Sequence, residues 1–198
     1  MVRGRPRKIE PDAALKSAMI VFWQKGFDGT SMADLVKATG MAKPGLYATF
    51  GDKQEIYSKA LEQYVKDRGF PIARKLMASE KSTRDAVRDF LQDIAINMFD
   101  QSTPNGCFLV NTIVESEAGY FHLEVLGRKY NDKRREILSH FFQNAKTAGK
   151  ISATSDPEAL AEFYMAQALT IPVLDKAGIS QKSMDRFIET ALMVLRDE

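Results

Sequence analysis

The stretch TSMADLVKATGMAKPGLYATFGDKQEI, residues 30–56, decides the fold. Ser31 stands three residues before Asp34, the spacing at which a hydroxyl and a carboxylate cap a helix start reciprocally. Leu35 and Val36 then give a helix of about two turns that Gly40 ends. Past Gly40-Met41 a second short helix carries Leu46, Tyr47 and Phe50, and Asp52 with Glu55 repeats the capping pair at the start of a third. Two short helices joined by a glycine-containing turn and flanked by longer ones form a helix-turn-helix pattern. The second is too short to persist alone. Its apolar edge, Leu46 and Phe50, must be held by neighbouring helices, which leaves Lys43, Pro44, Gly45, Tyr47, Ala48 and Thr49 to face outward. A face this small suits a DNA major groove.

On the N-terminal side, Glu10-Pro11-Asp12 opens a helix with Leu15, Ala18, Met19 and Phe22 on one stripe, stopped by Gly26. On the C-terminal side, the helix begun at Asp52 carries Ile56, Ala60, Leu61 and Tyr64 and is expected to run toward Met77, bent or weakened at Gly69 and Pro71. Further helices are predicted from about Thr83 to Gln101, Cys107 to Glu117 and Tyr120 to Ala148. Another opens at Asp156-Pro157 and reaches Lys176 with a kink at Pro172, and Ser180 opens the last. No stretch combines strict alternation with β-branched residues and hairpin turns. The fold class is therefore all-α: an N-terminal three-helix helix-turn-helix domain followed by a C-terminal helical bundle. The expected organisation is a basic arm over 1–9, a DNA-binding domain over 10–68 and a second domain over 69–198.

With 44% hydrophobic and 27% charged residues among 198, the chain can bury a genuine core. Its net charge of +2 is unevenly divided. Residues 1–68 hold 12 Lys+Arg against 8 Asp+Glu, whereas residues 69–198 hold 16 against 18. Only the first part is built to approach a polyanion. The longest apolar run, Phe108 to Val114, is interrupted by Asn111 and Thr112, so no membrane span is expected. The basic start is not followed by the apolar stretch of a secretion signal, and a cytoplasmic location is expected. A single cysteine, Cys107, fits a reducing compartment. No metal site is expected, because His122 and His140 would share one helix face roughly 27 Å apart. Nor is a cofactor or an enzymatic activity: there is no nucleophile with its base and orienting group, and no phosphate-binding loop.

The signature Phe27-x-x-Thr30-Ser31-Met32-x-Asp34-Leu35, continued by Gly40-Met41-Ala42-Lys43-Pro44-Gly45-Leu46-Tyr47-x-x-Phe50-x-x-Lys53-x-x-Ile56, resembles that of the TetR/AcrR family over about residues 12 to 60. The resemblance implies phosphate clamps at Tyr47 and Lys53, a backbone contact from Thr30 or Ser31, and base-reading positions at Lys43, Gly45, Ala48 and Thr49. Where the family usually places Ser or Thr at the cap of the recognition helix, this chain has Ala42. Pro44 offsets part of that loss by fixing φ near the first turn. Ahead of the first helix, Arg3-Gly4-Arg5-Pro6-Arg7 resembles an AT-hook core, whose arginines enter a narrow A·T minor groove. The alternative for this arm is a basic tail that raises non-specific affinity.

For the second domain the resemblance implies a helical bundle with an effector pocket and a dimer interface made by the last two helices. Candidate pocket residues are Met98, Cys107, Asn111, Phe121, Tyr164 and Gln167, and candidate interface residues are Leu160, Phe163, Leu174, Phe187, Ala191 and Leu195. Cys107 and Asn111 share a helix face; the alternative is that Cys107 is a small buried core residue and Asn111 caps or bridges helices. The expected partners are double-stranded operator DNA, a second copy of the chain and a small-molecule effector that releases repression. The alternative reading keeps the DNA binding but uses the second domain only to dimerise or to bind proteins.

Overall fold

The computed structural model describes residues 9–99, 103–115 and 121–195, and these form helices and turns with no strand. The chain divides into two compact units, one up to Tyr64 and one from Val65.

The first unit holds α1 (Pro11–Lys25), α2 (Met32–Thr39), α3 (Lys43–Phe50) and α4 (Lys53–Tyr64). Pro11 opens α1, where its missing N–H would have had no helical partner. α1 packs against both α2 and α4 around an aromatic cluster. The Phe22 ring lies edge-on to Tyr57 at 4.9 Å, Phe27 lies edge-on to Tyr57 at 5.4 Å, and Trp23 lies edge-on to Tyr64 at 5.0 Å. Leu35, Leu46, Ile56 and Leu61 are wholly buried, so each helix contributes to one core.

The expected capping pairs are present. Ser31 Oγ accepts from Asp34 N at 3.1 Å, and Asp34 Oδ2 accepts from Ser31 N at 2.9 Å. Lys25 Nζ also donates to Asp34 Oδ1 at 2.6 Å. The hydrogen bond from Lys25, and then those from Ser31, hold the Asp34 carboxyl well below the usual carboxylate range. Asp52 and Glu55 exchange the same pair of bonds at 2.9 Å each before α4. Just before this pair Gly51 adopts φ 89°, and a Cβ there would overlap the Glu55 carboxylate. Glycine is thus required twice, by backbone conformation and by the carboxylate that caps α4.

The second unit begins with a π-helical turn over Val65–Gly69, followed by α5 (Phe70–Met77), α6 (Thr83–Phe99), α7 (Phe108–Glu115), α8 (Phe121–Thr147), α9 (Pro157–Lys176) and α10 (Gln181–Ala191). The helix expected from Asp52 to Met77, bent or weakened at Gly69 and Pro71, is helical over residues 53–77 and takes a π-helical turn at Val65–Gly69. Pro71 cannot donate to the carbonyl four residues earlier and its ring crowds that oxygen, so the chain takes a wider turn before α5. Pro172, by contrast, sits inside α9, which continues to Lys176.

α9 packs against α6 and α8, and α7 packs against α8. At Gly127 a Cβ would approach Ile113 Cγ1 to 3.1 Å, which explains the small residue at the α7–α8 crossing. α10 is held on α6 by polar clamps. Arg84 donates to the carbonyls of Leu192 and Leu195 at 3.1 and 3.2 Å, and Arg88 bonds Glu189 at 2.8 Å as well as Asp85. The basic run of α8 is a solvated face, with Arg128 on Glu124 at 2.6 Å and Lys133 on Glu136 at 3.0 Å.

Candidate DNA-binding surface

At 100° per residue, Leu46 and Phe50 define one edge of α3, and both are buried. Ala48 lies opposite that edge, with Pro44 and Gly45 on either side of it, while Lys43 with Tyr47 and Thr49 form the flanks. Lys43, Pro44, Tyr47, Ala48 and Thr49 are exposed and Gly45 is half-buried, as the sequence predicts for an outward face. No side chain caps the first turn at Ala42. At the other end the Lys59 ammonium donates to Phe50 O at 2.7 Å, tying the last turn of α3 to α4. That bond was not legible in the sequence, because nothing local connects positions nine apart across a turn.

Tyr47 is 43% exposed, with the Lys43 ammonium 5.9 Å from its ring centroid. Lys53, the first residue of α4, places its ammonium 4.3 Å from the ring centroid of Phe27. A cation held over an aromatic face is kept near the surface without a carboxylate partner to displace. Ser31 stays at the surface, but its hydroxyl both accepts from Asp34 N and donates to Asp34 Oδ2 at 2.6 Å, so the cap uses its donor as well. Thr30 is a correction: it is 1% exposed, and its hydroxyl donates to Gly26 O at 2.7 Å. Its polar group is consumed in closing the turn after α1, so its role is structural. Arg3, Arg5 and Arg7 lie outside the described residues.

The candidates in the second unit divide differently. Met98 and Cys107 are buried and Gln167 is half-buried, while the side chain of Phe121 lies outside the described parts. Asn111 accepts from Lys176 Nζ at 2.9 Å, which ties α7 to the C-terminal end of α9. Tyr164 is a second correction. It is wholly buried, stacked on Phe142 at 5.5 Å, and its hydroxyl donates to Ala191 O at 3.0 Å. Burial also raises its phenol pKa. The ring and hydroxyl join α9 to α10 as core, and Tyr164 stands twelve residues before Lys176, roughly 18 Å along α9, so it does not converge with Asn111. A hollow between α5 and α6, lined by Ile72, Leu76 and Phe90 among others, offers about 10 Å³ and includes none of the expected effector residues.

Three interface candidates are also corrected. Leu160, Ala191 and Leu195 are 9%, 6% and 5% exposed, buried in the core of the chain itself. Phe163, Leu174 and Phe187 keep part of their surface. The exposed residues of α9 are instead Glu158, Ala159, Glu162, Ala166, Val173 and Lys176, of which Ala159, Ala166 and Val173 fall on one line. Apolar periodicity points to large residues, and those are the ones a protomer buries first.

Among the described residues no three His, Cys, Asp or Glu side chains are grouped to hold a metal ion, and no helix is long and apolar enough to cross a membrane.

Comparison with known proteins covers both units. The model of "Bacterial regulatory proteins, tetR family" matches residues 14–60, and that of "Tetracyclin repressor-like, C-terminal domain" matches residues 83–191. The HTH-type transcriptional repressor ComR of Escherichia coli (strain K12) is 32% identical over 192 residues, spanning 96% of this chain and 90% of that protein. The HTH-type transcriptional repressor BdcR of the same organism is 31% identical over 146 residues, spanning 74% of this chain and 66% of that protein. Among solved structures, a cysteine mutant of the TetR family regulator CifR complexed with 26-bp operator DNA superposes with a TM-score of 0.86 at 27% identity, covering 98% of this chain and 100% of that one. An N-terminal helix-turn-helix on the expected register, a helical second unit, and matches spanning both place the chain in the tetR family of bacterial regulatory proteins.

Proposed function

We propose that the chain is a transcriptional repressor that binds operator DNA as a homodimer through α3 and is released when a small-molecule effector binds its second unit. The observation that carries the reading is the exposed face of α3, bordered by Tyr47 and Lys53. These two supply a hydroxyl and a cation at the edges of a surface small enough for a major groove, where phosphate contacts fix register and the face between them meets bases. Ser31 adds backbone positioning, and the arginines of the arm add minor-groove affinity. ComR and BdcR are repressors by name, and CifR is a regulator seen on operator DNA, which supports the same role here.

Dimerisation is supported by the exposed Ala159, Ala166 and Val173 of α9 and by the partly exposed Phe163, Leu174 and Phe187. A two-fold pair presents two α3 helices to half-sites about one helical turn, ~34 Å, apart or more. Effector control follows from linkage: a ligand that binds the DNA-free arrangement more tightly empties the operator, and one without that preference shifts nothing. Met98, Cys107 and Gln167 are the candidates for its site. Work in the cytoplasm, where the DNA is, completes the reading.

The test is the affinity of the purified chain for DNA upstream of its own gene, compared with an unrelated duplex, with sedimentation to count chains per duplex. Two chains on the upstream DNA at an affinity well above the unrelated duplex supports the reading, and no preference for any duplex overturns it. A screen for small molecules that release the bound DNA then separates an effector-controlled repressor from one whose second unit only dimerises or binds proteins.

A further inference from the structure

The outward line of α3 carries no side-chain hydrogen-bonding group. Opposite the buried Leu46 and Phe50 stand the Pro44 ring, the Gly45 backbone and the Ala48 methyl, with the Thr49 methyl and hydroxyl on one flank. The cation of this helix, Lys43, is on the other flank beside the Tyr47 ring. A face of this composition cannot form the bidentate bonds by which Arg reads guanine or Asn and Gln read adenine. What it offers is methyl and methylene surface, and the matching feature of the major groove is the C5-methyl of thymine.

Gly45 strengthens the point. Its φ is not in the left-handed region, and a Cβ there would meet only Met41 Cε at 3.8 Å, an ordinary contact. Neither backbone conformation nor internal space requires glycine, and glycine weakens a helix that already lacks a side-chain cap. The remaining use for the missing Cβ is external: it lets the backbone of α3 approach a base edge more closely than any side chain would allow.

We propose that this chain recognises its half-site chiefly through thymine methyl groups packed against Pro44, Ala48 and the Thr49 methyl, with Gly45 permitting the approach and Lys43 adding at most a flanking contact. This rests on α3 being the DNA-reading helix.

The experiment selects binders for the full-length chain from a pool of 26-bp duplexes, the length seen with CifR, with a randomised centre. The selected duplex is then remade with uracil for thymine, one position at a time and throughout, which removes the methyl and leaves every hydrogen-bonding group in place. Burial of one methyl corresponds to about a fourfold change in affinity, so two or more thymines in each half-site should show losses of that size and the fully substituted duplex a larger one. Ala48→Gly and Thr49→Ser, checked for unchanged helicity, should each reduce the uracil penalty at one position toward none. A fully uracil-substituted duplex bound as tightly as the thymine one overturns the inference while leaving α3 as the DNA-reading helix. If no duplex is selected at all, the DNA-binding reading itself fails and this one with it.

Discussion

In the first unit, the residues that fold the helix and those we propose to face DNA alternate within one eight-residue segment, α3. In the second, candidate ligand and partner positions are spread over α6, α7, α9 and α10, and packing decides which of them remain available. Leu46 and Leu160 look alike in sequence as apolar residues on amphipathic helices. Leu46 belongs to an edge whose opposite side must face water, because a two-turn helix has neighbours on one side only. Leu160 sits on a helix packed against both α6 and α8, where large residues are drawn inward and small ones left outside. A site on a short, one-sided helix follows from local geometry, and a site inside a bundle does not.

The sharpest way to break the first half of this contrast is Gly51→Ala. It forces φ 89° on a residue with a Cβ and drives out the Glu55 carboxylate that caps α4. A loss of about 2 to 3 kcal/mol is expected in chemical denaturation, with DNA binding weakened because α3 loses its anchor. On the side of the second unit, Tyr164→Phe removes the hydroxyl that donates to the Ala191 carbonyl. If Tyr164 is core, unfolding should show a loss of about 1 to 2 kcal/mol. A stability equal to wild type together with altered effector response would return Tyr164 to the pocket.

A further test uses pH. The folded chain keeps Asp34 ionised to lower pH than the unfolded chain does, through Lys25 and Ser31. The stabilisation is therefore complete above the ordinary carboxylate value near ~4 and is lost as pH falls through the folded-state value. Asp34→Asn should be less stable than wild type at neutral pH, and the gap should narrow on acidification. A constant gap would mean that the carboxylate charge is not what the cap uses. The smallest expected effect has the opposite sign: Gly45→Ala should raise stability by about 0.5 to 1 kcal/mol while weakening DNA binding, a separation of folding from function at one atom.

How much was legible follows the same division. The two capping pairs, the glycine turns and the Leu46–Phe50 edge are local, and the sequence predicts all of them in register. A hydroxyl beside a cap looks available in sequence, and only the turn geometry shows that of Thr30 bonded to Gly26 O. Gly69 and Pro71 mark in the sequence where the helix is bent or weakened, but not the form this takes, since a π-turn depends on how the chain accommodates the proline. In the second unit, helix positions are set by periodicity, yet Leu160, Ala191 and Leu195, apolar positions that suit a partner surface, are buried within the chain. Long-range neighbours decide burial, and periodicity does not name them.

The measurement that tests the central claim most directly is DNA affinity across a salt series, comparing wild type with the Tyr47→Phe/Lys53→Ala double variant. If Tyr47 and Lys53 grip phosphates, the variant binds far more weakly at every salt concentration, and its log–log slope is shallower by about one per chain, about two for a dimer. An unchanged affinity and slope, with the variant folded, would contradict the account.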